Sequence, residues 1–242
     1  MPDDHRKSLA VQWWFHVRNF RSREVFSLLK QYGRGDVLDV GGWDFFLTAV
    51  KKKIDFNTWT TLEISEAKRF ETGDSRVKFV IGDGCEMKFE DNRFDTVINI
   101  QVLEHVFEPI RMVEEIGRVL KPGGYGIFLI PQTSTVHFAP EHYYNFTRFW
   151  IQKTAQRAGL KIEDIKPLGG VWTSMASHLV FFFPQSFRFG GMSSPECKRS
   201  IFFYLLYPLM AVYALLSIPF CMLLSLGDLT EEPNNYLVLV RK

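Results

Sequence analysis

Between Asp36 and Gly159 short apolar runs alternate with longer segments of helical period, and this alternation constrains the fold more than any other feature of the chain. Continuous apolar runs bounded by glycine, proline and acidic residues read as strands buried on both faces. Interleaved with helices they form βαβ units, which assemble into an α/β fold around a mostly parallel sheet. The strand candidates are Asp36 to Val40, Thr58 to Glu63, Val77 to Ile81, Asp95 to Ile100 and Tyr125 to Ile130. The clearest helix runs from Pro109 to Leu120, where Ile110, Val113, Ile116 and Leu120 recur at helical spacing. A proline opens it and Lys121-Pro122-Gly123-Gly124 stops it, the two glycines serving the turn into the fifth strand. Residues 1–35 read as an amino-terminal helical segment, rich in Trp13, Trp14, Phe15, Arg18 and Arg21, expected to act as a lid or to cover the sheet.

Three successive strand candidates end in turns of one chemical kind. Val37-Leu38-Asp39-Val40-Gly41-Gly42 is an apolar strand that runs into a glycine turn, where the backbone can approach a ligand at the carboxyl edge of the sheet. Glu63 ends the second strand, where a carboxylate can accept from both hydroxyls of a ribose. Asp83 follows the third strand in Ile81-Gly82-Asp83-Gly84. Together the three turns outline a nucleoside pocket. A nicotinamide dehydrogenase does not fit, because the first turn lacks G-x-G-x-x-G and Trp43 stands directly behind the glycine pair.

From Val37 to about Gly159 the chain resembles the class I S-adenosylmethionine-dependent methyltransferases of the methyltransferase type 11 group. The resemblance rests on the first-strand motif, Phe89-Glu90-Asp91-Asn92-Arg93-Phe94-Asp95, Val102-Leu103-Glu104-His105-Val106, Arg118-Val119-Leu120-Lys121-Pro122-Gly123-Gly124 and Pro131, in that order. It implies a Rossmann-like sheet of seven strands with an antiparallel last strand, and S-adenosyl-L-methionine as cofactor. It further implies that Asp39, Gly41 and Gly42 shape the methionine end of the pocket, that Glu63 holds the ribose, and that Asp83 and Gly84 lie near the adenine. Gln101 would sit at the rim where the methyl is presented. The group usually continues its first motif with two further glycines, and here Trp43 and Phe45 occupy those positions. Either Trp43 crowds the cofactor, leaving a catalytically inactive membrane or partner-binding module, or the turn is rebuilt around Gly42 with Asp44 at the helix start.

Methyl transfer from a sulfonium needs an in-line acceptor and, for a hydroxyl acceptor, a group to take its proton. The candidates are His105 and the segment after the fifth strand, Gln132 to Thr147, with His137, Glu141, His142, Tyr143 and Tyr144. No metal is expected, since no third ligand stands at a suggestive spacing from His137 and His142.

The carboxyl-terminal third departs from this pattern. Leu160 to Pro167 and Tyr236 to Val240 read as the sixth and seventh strands, so the core comprises 36–168 and 235–242, and 169–234 is an apolar helical insertion. Ile201 to Leu226 carries no charge and, as a straight helix of ~1.5 Å per residue, would be long enough to cross a bilayer. Pro208 and Pro219 are expected to divide it into shorter pieces. If the final strand rejoins a cytoplasmic sheet, the run must enter and leave on one side, which predicts a monotopic segment with Lys198 and Arg199 near anionic head groups. A single membrane span and a buried helical pair or dimer face are the other readings, and oligomeric state is left open. Relatives of the type 11 group with such additions act in cell-surface glycan assembly, so the resemblance implies a small-molecule, glycan or lipid-linked acceptor. With 29 Lys and Arg against 27 Asp and Glu, the net charge of +2 gives no support to a nucleic-acid partner. Three scattered cysteines (Cys85, Cys197, Cys221) and a polar start without a signal-peptide pattern lead us to expect a cytoplasmic location.

Overall fold

In a computed structural model, residues 23–43, 45–66, 72–192 and 197–242 are described. Trp13, Trp14, Phe15 and Asp44 lie outside the described residues, and with them the lid reading of the amino-terminal segment. The elements are α1 (Arg23–Tyr32), β1 (Asp36–Val40), α2 (Phe45–Lys51), β2 (Thr58–Glu63), β3 (Val77–Ile81), β4 (Phe94–Ile100), α3 (Pro109–Val119), β5 (Leu120–Pro131), α4 (Arg148–Arg157), β6 (Lys161–Leu168), α5 (Val171–Ser186), α6 (Ile201–Leu224) and β7 (Asn235–Arg241). The strands form one sheet in the order β3-β2-β1-β4-β5-β7-β6. β7 runs antiparallel to β5 and β6, and the remaining pairs are parallel. This is the Rossmann-like architecture with an antiparallel last strand that the sequence leads one to expect.

Because side chains alternate along a strand, each central strand supplies two cores. Leu38, Phe128, Ile130, Val238 and Val240 face the layer of α3 and α4, where Val113, Ile116 and Ile151 complete the packing. Val37, Ile127, Leu129, Leu237 and Leu239 face the opposite layer with Trp59, Phe46 and the α1 residues Val25, Phe26 and Leu29. The described part of the amino-terminal segment therefore covers the sheet. The edge strand β6 carries Lys161, Glu163, Asp164 and Lys166, charges that discourage pairing with another chain.

Arg118, in the last turn of α3, fixes the approach to β4. Its guanidinium donates to both carboxylate oxygens of Glu115, to Asp91, and to the carbonyls of Met87 and Phe89. The Arg118 hydrogen bonds, with help from the Met87 amide and against the cost of burial, hold the Glu115 carboxyl below its usual value.

Between β6 and β7 the chain leaves the sheet as α5 and α6. The amide groups of Trp172 and Thr173, at the start of α5, donate to the Asp228 carboxylate that follows α6, and the Val171 amide donates to the Leu229 carbonyl. The end of α6 thus returns to the beginning of α5, making an antiparallel hairpin. Pro208 and Pro219 do not divide α6, contrary to the expectation from sequence: the helix is continuous over 24 residues, ~36 Å at the usual rise. Each proline removes one hydrogen bond, and the carbonyls four residues earlier belong to the exposed residues Tyr204 and Leu215. The rest of the helical ladder and the stripe packed on α5 hold it together.

Candidate active site at the carboxyl ends of the strands

The sheet order reverses direction between β1 and β4, and the turns that follow these two strands form the crevice where α/β sheets bind ligands. Gly41 has φ +74, and a Cβ there would come within 2.7 Å of Val102, so the turns after β1 and β4 meet backbone to side chain. At Gly42 a Cβ would fall on the Asp39 carboxylate, which is fully buried beneath the turn. Asp39 therefore sits under the backbone that faces the crevice. The Phe45 amide donates to the Gly42 carbonyl at 2.8 Å, which starts α2 without further glycines. Phe45 stacks on Phe26 at 5.0 Å in the core, and Trp43, with φ 46, turns its ring outward to 49% exposure. The two aromatic residues in the glycine positions thus leave the turn on opposite sides, one into the core and one into solvent.

Glu63 ends β2 nearly buried, with Oε1 accepting from the Trp43 amide at 2.8 Å. Ile64, the next residue, is 68% exposed. Asp83, after β3, accepts from the Cys85 amide at 2.8 Å and is exposed, whereas Gly84 is buried. The Cys85 thiol is pushed up to about 11, first by burial and then by Asp83, which disfavours the thiolate.

Gln101 follows β4 at φ 55, a left-handed conformation that costs a non-glycine residue roughly 1 kcal/mol and marks a constrained site. Its amide nitrogen donates to Asn235 Oδ1 at 3.1 Å, which ties the end of β4 to β7. Beneath it Asn99, fully buried, donates to the Val40 carbonyl at 3.3 Å and so links β4 to the first turn.

The three histidines predicted from sequence come together although His105 is far from His137 and His142 in the chain. The rings of His105 and His137 lie 4.8 Å apart, those of His137 and His142 4.7 Å, and those of His105 and His142 5.6 Å. His105 Nδ1 faces the Glu141 carbonyl at 2.6 Å and His137 Nδ1 the Thr135 carbonyl at 2.9 Å, so these nitrogens carry the protons. The Nε2 atoms point toward Glu104, 3.9 Å and 4.0 Å from its Oε1. Glu104 is fully buried, and its carbonyl accepts from the Tyr143 amide at 2.8 Å. Both His142 nitrogens are buried without a well-formed hydrogen bond. Burial, and then the neighbouring His137, hold its pKa below the usual imidazole value, against a small opposing contribution from the His137 backbone.

A comparison with protein families matches residues 38–128 to the family described as Methyltransferase domain. The demethylmenaquinone methyltransferase of Clavibacter sepedonicus is 44% identical over 57 residues, which cover 24% of this chain and 23% of that protein. The chain thus spans about a quarter of that curated relative's length. An uncharacterized protein of Methanocaldococcus jannaschii is 30% identical over 170 residues, 68% of each chain. The crystal structure of a SAM dependent methyltransferase from Archaeoglobus fulgidus superposes with a TM-score of 0.57 at 14% identity, covering 94% of both chains.

Residues 38–128 belong to the methyltransferase domain family.

S-adenosylmethionine is the cofactor of these methyltransferases, and the residues at the strand ends fit it. The Gly41-Gly42 turn is a cradle that a Cβ at either position would fill. Beside it, the Glu63 and Asp83 carboxylates accept hydrogen bonds and the exposed Trp43 and Ile64 offer apolar faces, a set suited to ribose hydroxyls and a flat base. Sequence reasoning missed Ile64, Asn99 and Asn235 around these turns. Ile64 had a signal, an apolar residue directly after the strand-end acid, but Asn99 and Asn235 matter only through partners on other strands.

Proposed function

We propose that this methyltransferase transfers a methyl group from S-adenosylmethionine to a nucleophile on a lipid-linked saccharide or lipid head group, at the cytoplasmic face of a membrane. The observation that carries this reading is the attachment of the acceptor-side segment to the apolar hairpin. Thr133 shares a hydrogen bond of 2.7 Å with Ser174 near the start of α5, Gln185 near its end donates to the Val136 carbonyl, and the Ala139 amide donates to the Gly191 carbonyl. The segment that bears His137 thus runs along α5 from one end to the other. α6, packed on α5, is 27 residues long with its terminal turn, and an 18-residue stretch of it has a mean hydropathy of 2.2 with 11% of that stretch buried. Docked lengthwise on the domain, the hairpin suits a helix lying in the membrane plane better than one crossing it. Phe187 and Phe189 are exposed at its tip beside Arg188 and Lys198, aromatic and basic groups suited to anionic head groups.

When bound, S-adenosylmethionine supplies a methyl carbon on a sulfonium, open to direct displacement. In this reading the glycine turn, Glu63 and Asp83 fix the nucleoside, and Gln101, held by Asn235, sets the rim across which the acceptor approaches. Exposed Phe107, Phe138 and Tyr143 form an aromatic wall for the acceptor. The cluster of His105, His137 and His142 receives the proton of an acceptor hydroxyl as its oxygen attacks. Membranes from cells producing the protein, given donor with a labelled methyl group, are expected to place label in the lipid extract. Label confined to water-soluble products would refute the lipid-linked acceptor.

One observation favours a second reading, a non-catalytic module that holds a membrane or partner: the Trp43 amide already engages the Glu63 carboxylate that a ribose would need. Cofactor binding separates the two readings.

A further inference from the structure

We propose that His105, His137, His142 and Glu104 form a binding site for one divalent transition-metal ion of the zinc class. Four features of the geometry point to it. The ligand atoms of the three histidines all lie within 4.8 Å of one another. The His105 and His137 Nδ1 atoms each face a main-chain carbonyl, an outer contact that fixes the tautomer with the proton on Nδ1 and the lone pair on Nε2. Those two Nε2 atoms converge on Oε1 of a fully buried carboxylate, at 3.9 Å and 4.0 Å. These distances are close to the ~3.3–3.6 Å that separates ligands around an ion at 2.0–2.2 Å from each. Finally, His142 brings a third imidazole whose nitrogens are buried without a well-formed hydrogen bond.

The donor set decides the kind of ion. Three imidazole nitrogens and one carboxylate oxygen suit zinc and its neighbours, whereas magnesium and calcium take oxygen ligands. The spacing of His137 and His142 along the chain shows no third partner, because His105 comes from the turn after β4 and the other two from the segment after β5. The Tyr143 amide, bonded to the Glu104 carbonyl at 2.8 Å, holds these two segments in register. An ion bound here would clamp the acceptor wall to the carboxyl end of β4. The His105 and His137 side chains are 20% exposed while Glu104 is buried, so the cluster opens on its solvent side. With the ion bound, the imidazoles are its ligands and no longer take the acceptor's proton; the ion would instead meet the acceptor oxygen and favour loss of its proton to solvent. This last role rests on the methyl-transfer reading, whereas the binding of the ion does not.

The test uses the full chain without a histidine tag, stripped with chelator and given no methyl donor. Equilibrium dialysis against zinc followed by elemental analysis is expected to give one ion per chain, with thermal unfolding shifted upward. Cobalt is expected to give the visible absorption bands of a four- or five-coordinate nitrogen-ligated ion. His142→Ala should weaken zinc binding by at least ~100-fold, and His178→Ala, outside the cluster, should leave it unchanged. The parent protein alone decides the question if His142→Ala does not fold. Zinc retained at less than a tenth of an equivalent, or equal binding by the parent and a folded His142→Ala variant, would overturn the site. A failure of cofactor binding would leave this result untouched and would bear on the methyl-transfer reading alone.

Discussion

Replacing Leu205, Leu209 and Leu216 together by Gln tests whether α6 is the membrane-contacting surface. The three share one face at helical spacing and are 67%, 68% and 70% exposed. A leucine side chain taken fully out of water is worth about 1.5–3 kcal/mol, so each of these retains about 1–2 kcal/mol of unrealised burial. A membrane that covers all three gains roughly 3–6 kcal/mol from them, and each 1.4 kcal/mol is tenfold in partitioning. The triple variant is therefore expected to bind vesicles of mixed neutral and anionic lipid at least ~100-fold more weakly than the parent in a flotation assay. Its thermal unfolding in detergent should barely change, because none of the three leucines lies in the packed core. Equal flotation by parent and variant would refute the assignment of this face. A parent that remains with the soluble fraction, as a dimer that the substitutions dissociate, would refute the membrane reading and establish a dimer face.

Two further outcomes follow from the packing around the site. Gly42→Ala sets a Cβ on the buried Asp39 carboxylate; displacing that group should cost about 3 kcal/mol. In a domain of this size that lowers Tm by roughly 6–12 °C, and an unchanged Tm would contradict the turn geometry. Asp36, through Thr58 and then Arg93, and Glu115, through Arg118, have folded-state pKa values below their ordinary 3.8 and 4.5. A depressed folded value means that the unfolded chain binds the proton more tightly, so their contribution is complete above pH ~5 and is lost as the pH falls through the folded values. Chemical denaturation should show stability declining below pH ~4.5, and the decline should be shallower in Asp36→Asn with Glu115→Gln.

The βαβ alternation made the sheet legible because its signals are local: an apolar run, a glycine turn and a proline-opened helix each state their own structure. β7 was legible from the closing run Tyr236 to Val240, although its place between β5 and β6 depends on pairing across the long insertion. The continuity of α6 was not legible. Two prolines in one run are a local signal for breakage, and the packing of the inner stripe, Ala214 and Cys221, against the hairpin outweighs it. At the site, Glu63 and Asp83 were readable as strand-end acids. That Trp43 turns outward while Phe45 enters the core depends on Phe26 in α1, a tertiary contact with no trace in the motif. His137 and His142 announced themselves by proximity, but their convergence with His105 depends on the neighbouring placement of the β4 and β5 ends, and Gln101 found its partner Asn235 across the sheet.

The central claim, a working nucleoside pocket built on the Gly41-Gly42 turn and Glu63, is tested most directly by calorimetric titration of the detergent-purified protein with S-adenosylmethionine and S-adenosylhomocysteine, beside Glu63→Ala. Micromolar binding by the parent, lost in a folded Glu63→Ala variant, is the predicted result. It would mean that the Trp43 amide yields the Glu63 carboxylate to a ribose. A folded parent that binds neither compound would contradict the account and leave the fold serving a membrane or partner without catalysis.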